Sequence, residues 1–117
     1  MKNLVQIVAL ALAATGASAD YSVKGEGNFS CPEYISARRS NDAKLYSSIS
    51  WVQGFITGVN YQRALEEGAH SLTGRDFPAV SMVRWLENYC QENLVDDLAD
   101  AAVALVLELS ENEKPRP

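Results

Sequence analysis

Histidine occurs once in these 117 residues, at position 70, and cysteine twice, at positions 31 and 90. That scarcity excludes a dense metal cluster, because two thiolates and one imidazole without a Cys-x-x-Cys spacing do not complete a tetrahedral ligand set. The lone histidine also leaves nothing for a Ser-His-Asp triad, and neither a Gly-x-Ser-x-Gly elbow nor a phosphate-cradling glycine loop occurs. His70 stands in a polar stretch, where a solvated imidazole is the ordinary reading. Asp96, Asp97 and Asp100 cluster, but acidic residues so spaced serve a helix start before they serve a divalent cation. The chain therefore reads as a non-enzyme that calls for no metal and no cofactor. Positive charge is scarce too, with 10 Lys and Arg against 15 Asp and Glu, which argues against nucleic acid and anionic lipid as partners.

The only long apolar run lies at the start. Lys2 provides a positive first region, residues 4–14 are apolar except Gln6, and Ala17-Ser18-Ala19 is a small-residue cleavage site. The run is too short for a bilayer span, which needs about 20 apolar residues, so residues 1–19 read as a secretory signal peptide. Cleavage after Ala19 leaves 98 of the 117 residues, and loss of Lys2, the only charged residue of the leader, takes the net charge from −5 to −6. The expected product is exported and soluble in the periplasm, with no membrane attachment after cleavage.

In an oxidising compartment, Cys31 and Cys90 read as one structural disulfide. Closing a loop of about 60 residues restricts the unfolded chain by roughly 4 kcal/mol on the chain-entropy account. A single small domain has a modest core, so such a staple carries a large share of its stability.

Helical periodicity dominates the rest. Ser30 with Glu33 is a capping box and Pro32 suits a first turn, so a short helix is expected over residues 31 to about 38. After the polar break Arg39-Ser40-Asn41-Asp42, the residues Leu45, Ile49, Val52, Ile56 and Val59 recur at helical spacing, and Gly68 suits the end of that helix. Gly54 and Gly58 stand one turn apart inside it, a placement that costs about 1 kcal/mol each relative to alanine and reads as a packing seam. Residues 68–75 read as a loop with a turn at Ser71-Leu72-Thr73-Gly74. A third helix, with Asp76 as its cap and Pro78 in its first turn, carries Val80, Val83, Leu86 and Tyr89 on one face and ends near Asn93 as a left-handed cap. Asp96 and Asp97 favour the start of a fourth, with Leu98, Ala101, Ala102, Leu105 and Leu109 as its stripe. The fold expected is all-α, a small four-helix domain with one disulfide over residues 20–110, followed by a mobile charged tail at 111–117.

Aromatic residues are the more informative minority. Trp51, Phe55, Tyr61 and Trp85 lie on the two central helices, and a domain this small cannot readily bury all of them, so with Gly54 and Gly58 they form the candidate partner-binding or packing surface. Trp51 is expected to pack against the helix that carries Trp85.

The signal, the cysteine at a helix start, the stretch Trp51-Val52-Gln53-Gly54-Phe55-Ile56-Thr57-Gly58 and the helix bearing Cys90 together resemble the HdeA/HdeB family of small periplasmic acid-stress chaperones. The resemblance covers residues 31–105, with a longer segment between the cysteines here. It implies a helical fold, one disulfide between the equivalent positions, a homodimer, and holdase activity toward unfolding proteins in acid. A second resemblance, carried by Gly54-Phe55-Ile56-Thr57-Gly58, is to exported immunity proteins of the Rap/Tai kind that neutralise type VI secreted toxins. Those proteins commonly carry more cysteines. Both resemblances imply a protein partner and no chemistry of the chain's own.

Overall fold

The computed structural model describes residues 21–68 and 73–112, in which four α-helices are found and no strand. The leader, His70 and the last five residues lie outside the described residues.

Helix α1, Cys31–Ser40, begins where the capping box placed it: the Ser30 hydroxyl accepts the Glu33 N–H, and the Glu33 carboxylate accepts the Ser30 N–H at 2.9 Å. It runs two residues past the expected end and stops at Asn41, whose φ of 52° turns the chain left-handed. Asp42 caps α2, Ala43–Glu67, by accepting the Lys44 N–H at 2.9 Å. Gly68 ends α2 at a φ of 94°, which a side chain would disfavour.

Helix α3, Ala79–Glu92, corrects two expectations. Asp76 is not its cap. The capping position is Pro78, with no side-chain hydrogen bond, because a residue before proline is pushed to extended backbone and Phe77 cannot open a helix. Asn93 is not left-handed either, with φ −134° and ψ 65°; its amide instead donates to the Tyr89 carbonyl at 2.9 Å. Val80 leaves the expected core face, being 70% exposed, and Met82, Leu86 and Cys90 form the buried stripe. Helix α4, Leu98–Asn112, runs two residues into the expected tail. Its start is fixed by a reciprocal pair: Asp100 accepts the Asp97 N–H at 3.1 Å, and Asp97 accepts the Asp100 N–H at 2.9 Å.

The core gathers one face from each helix. Tyr34 and Ile35 of α1, Leu45, Ile49, Val52 and Ile56 of α2, and Leu98, Ala102 and Leu105 of α4 pack with the α3 stripe. Alanines along α4 let neighbouring backbones approach closely, and that helix is the most buried. Among the described residues the buried polar positions are Ser48 and Thr73, with no charged group.

Cys31 and Cys90 are bonded, their Cα atoms 4.8 Å apart, tying the start of α1 to the last turn of α3. Beside the disulfide, the Cys31 N–H donates to the Asp96 carbonyl at 3.0 Å and the Leu98 N–H to the Phe29 carbonyl at 2.9 Å, one isolated antiparallel bridge. The lead-in is less irregular than expected, since Gly25–Asn28 forms a 3-10 turn.

Candidate functional site

The aromatic residues divide between two surfaces instead of meeting in one seam. Trp51 does not pack against the helix of Trp85. Its indole lies on the lead-in, beside Gly25 and Gly27, and its Nε1–H donates to the Lys24 carbonyl at 2.6 Å. The physical reason is steric: a glycine at 27 leaves room for the ring that no other side chain would leave. Trp51 stacks on Phe55, with centroids 5.6 Å apart and 26° between planes. Tyr21, Val23, Trp51, Gly54 and Phe55 line a shallow hollow of about 420 Å3.

Gly54 and Gly58 do not form a packing seam within this chain. A Cβ built at either position meets no atom within 4 Å, because both lie on the side of α2 opposite the buried Ile49, Val52 and Ile56. Tyr61 follows on that outward side, 67% exposed, and Leu65 after it at 65%.

The second surface belongs to α3. Trp85 stacks on Tyr89 with centroids 5.5 Å apart and 14° between planes. Its Nε1–H donates to Glu108 of α4 at 2.8 Å, and the Tyr89 hydroxyl donates to the Asp96 carboxylate at 2.5 Å. Asp96 thus serves the aromatic pair and not the helix start that was expected of it. Burial first, and then that hydrogen bond and the neighbouring carboxylates, raise the Tyr89 hydroxyl above the usual tyrosine range, so it stays a donor. The result is an aromatic wall held at both polar tips. Phe77, Val80, Ser81, Arg84, Trp85 and Asn88 line an open hollow of about 260 Å3 on the Trp85 side of this wall.

Two residues of α2 that the sequence reading passed over, Asn60 and Arg63, hold Thr73 at a neighbouring hollow that Phe77 also lines. Asn60 accepts the Thr73 N–H at 2.6 Å and donates to the Thr73 carbonyl at 3.0 Å, while Arg63 donates to the Thr73 hydroxyl. The Asn60 amide replaces a missing backbone neighbour for Thr73, and so pins the segment that delivers Phe77. No motif marks the pair; the only signal was a polar residue one turn beyond the core stripe of α2.

Among the described residues, no group of three or more Cys, His, Asp or Glu side chains is arranged to hold a metal ion, and no helix is long and apolar enough to cross a membrane. Compared with protein-family profiles, with curated proteins and with solved structures, the chain matches none.

Proposed function

We propose that the protein is a small exported helical binding protein that engages a protein partner through the Trp85 hollow. The observation that carries the reading is the aromatic wall, with Trp85 fixed by Glu108 and Tyr89 fixed by Asp96 before any partner arrives. Rigid aromatic anchors lose little freedom on binding, and such residues dominate the energetics of protein interfaces. Val80 at the rim is exposed, and Arg84 and Asn88 supply polar contacts beside it.

Geometry favours a folded form that is already open for binding at neutral pH over one that acid must unlock. The charged side chains lie outside the core, and the ion pair between α1 and α3, Arg38 with Glu87, spans 3.9 Å with the arginine 42% exposed. Exposed pairs of that kind contribute roughly 0 to 1 kcal/mol, so protonation removes little that holds the helices together. A specific partner, such as the toxin of an immunity pair, fits this better. The acid-stress holdase is the second reading, favoured by the exposed Tyr61 and Leu65, which offer unfolding clients an apolar face.

A photo-crosslinking residue placed at Val80 in the exporting cell tests the proposal, with adducts identified by mass spectrometry at neutral pH and after a shift to pH 2 to 3. One defined adduct at neutral pH supports the specific partner. Many adducts appearing only in acid, together with suppressed aggregation of an acid-sensitive client, support the holdase. No adduct at either pH, with the same result from Arg84, overturns the binding role of this hollow.

A further inference from the structure

The sequence holds one place where an asparagine is followed two residues later by serine or threonine with no proline between, Asn28-Phe29-Ser30. In an exported chain that spacing is an acceptor for N-linked glycosylation. Glu26 stands two residues before the asparagine, which completes the longer pattern, acidic-x-Asn-x-Ser, that transferases on the periplasmic face of a membrane read. In the folded protein Asn28 closes the 3-10 turn Gly25–Asn28 and is exposed. Its side-chain amide donates to the Val23 carbonyl at 3.3 Å.

We propose that Asn28 is a glycosylation site, modified by a membrane-bound transferase that draws an oligosaccharide from a lipid pyrophosphate. The Asn28 Nδ2 attacks the anomeric carbon of the first sugar. A carbon–nitrogen bond forms, the bond from that carbon to the pyrophosphate oxygen breaks, the lipid pyrophosphate leaves with the electron pair, and one amide proton passes to a base of the transferase. Nothing is oxidised or reduced. A side-chain amide has two N–H groups, so the one that remains still donates to Val23, and the bulky, water-binding sugar extends outward from the exposed turn.

The fold accommodates the product but blocks the reaction. A transferase must hold the serine hydroxyl and align the amide with the sugar, and both residues after Asn28 are already committed. The Ser30 hydroxyl accepts the Glu33 N–H at 3.2 Å, and the Ser30 N–H donates to the Glu33 carboxylate at 2.9 Å. Phe29 is buried, with its carbonyl accepting the Leu98 N–H at 2.9 Å and the Lys44 ammonium 5.1 Å from its ring centroid. Cys31, next in the chain, is bonded to Cys90. The asparagine is accessible while the rest of its acceptor is not, so transfer precedes folding and folding ends it. This inference rests on the export reading and not on the Trp85 hollow.

The test expresses the full chain in a bacterium supplied with a periplasmic oligosaccharyltransferase and its lipid-linked oligosaccharide, and reads intact masses. The expected product is the chain without residues 1–19 and with one added glycan. Asn28→Gln, at an exposed position, should lose the glycan and keep the fold. Ser30→Ala should also lose it, whereas Ser30→Thr, which preserves both the hydroxyl and the helix cap, should keep it. Glu26→Gln should lower occupancy. Cys90→Ser leaves the acceptor residues untouched but removes a lock on the fold, and should raise occupancy above wild type. Purified, disulfide-bonded protein offered to the same transferase should stay unmodified. A mature mass without glycan in both wild type and Cys90→Ser overturns the proposal while export stands, and a mass that retains the leader overturns export and the proposal with it. Equal modification of the folded protein and of Cys90→Ser overturns the limit set by folding.

Discussion

Replacing Gly27 by alanine adds one methyl group where the protein has no room for it. The new Cβ would stand 2.6 Å from Trp51 Cη2 and 2.6 Å from Val23 Cγ1, and closer still to Trp51 Cζ2. The indole is not free to yield, because its Nε1–H is held by the Lys24 carbonyl and its face by Phe55. Overpacking of this kind costs about 1 to 3 kcal/mol, and losing the indole hydrogen bond adds about 1 kcal/mol. Alanine recovers about 0.4 to 1 kcal/mol by restricting the unfolded chain. The net expected loss is about 1 to 3 kcal/mol, or roughly 5 to 20 °C in the melting midpoint of a domain this size. Thermal melts followed by circular dichroism and tryptophan emission measure it, at low concentration so that self-association does not contribute. Gly58→Ala is the control: its methyl meets nothing within 4 Å, and it should stabilise by about 1 kcal/mol through helix propensity alone. Trp51→Phe, which removes the far edge of the ring, should largely cancel the effect of Gly27→Ala in a double-mutant cycle. Equal midpoints for Gly27→Ala and wild type would refute the packing of the lead-in on Trp51.

Reduction of the Cys31–Cys90 bond should lower stability by roughly 4 kcal/mol, a large part of the 5 to 15 kcal/mol typical of small domains; urea midpoints with and without reductant measure it, and coincident curves would show the bond to be dispensable. Ser48 is fully buried and its hydroxyl has no hydrogen-bond partner among the described residues, so Ser48→Ala should leave stability unchanged or raise it by up to about 1 kcal/mol. A loss of similar size in the chemical denaturation midpoint would reveal a partner for that hydroxyl. The Ser30 backbone N–H, then the Ser30 side chain and Lys44, hold the Glu33 carboxyl below the ordinary 4.5. Its stabilisation is thus present above the unfolded-state value and lost as pH falls through the lower folded one. Glu33→Gln should therefore melt below wild type at pH 7 and converge with it in strong acid, and a gap of constant size across that range would contradict the assignment.

Local chemistry in this chain was legible and long-range chemistry was not. Ser30 with Glu33, Asp97 near Asp100 and Gly68 at a helix end act on backbone within a few residues, so their roles followed from order alone. The helices followed from apolar spacing, and the disulfide from the expected oxidising compartment and the cysteine count. Gly54 and Gly58 were misassigned because a glycine pair reads the same whether a neighbour lies on it or not. What decides between the two is the opposite face, where Val52 and Ile56 take the core. Trp51 was misassigned for a related reason: its partner is a glycine turn without periodicity. Asp76 failed as a cap because the proline two residues later governs the backbone more strongly than a carboxylate can. Asn60 was missed because its partner, Thr73, lies 13 residues away and is recognised through main-chain atoms.

The bridge and the disulfide around Cys31 also bear on the order in which the molecule assembles. Every strong tie of α1 reaches forward: its cysteine waits for residue 90, its first N–H for the carbonyl of residue 96, and the carbonyl before it for the N–H of residue 98. A chain emerging from its N-terminus, whether from the ribosome or across a membrane, therefore presents α1 long before anything exists to lock it. The helix itself is ten residues long, below the roughly 12 to 15 at which helices persist alone in water. Vectorial synthesis keeps the first quarter of the domain pliable until the last quarter arrives, and the fold closes only at the end.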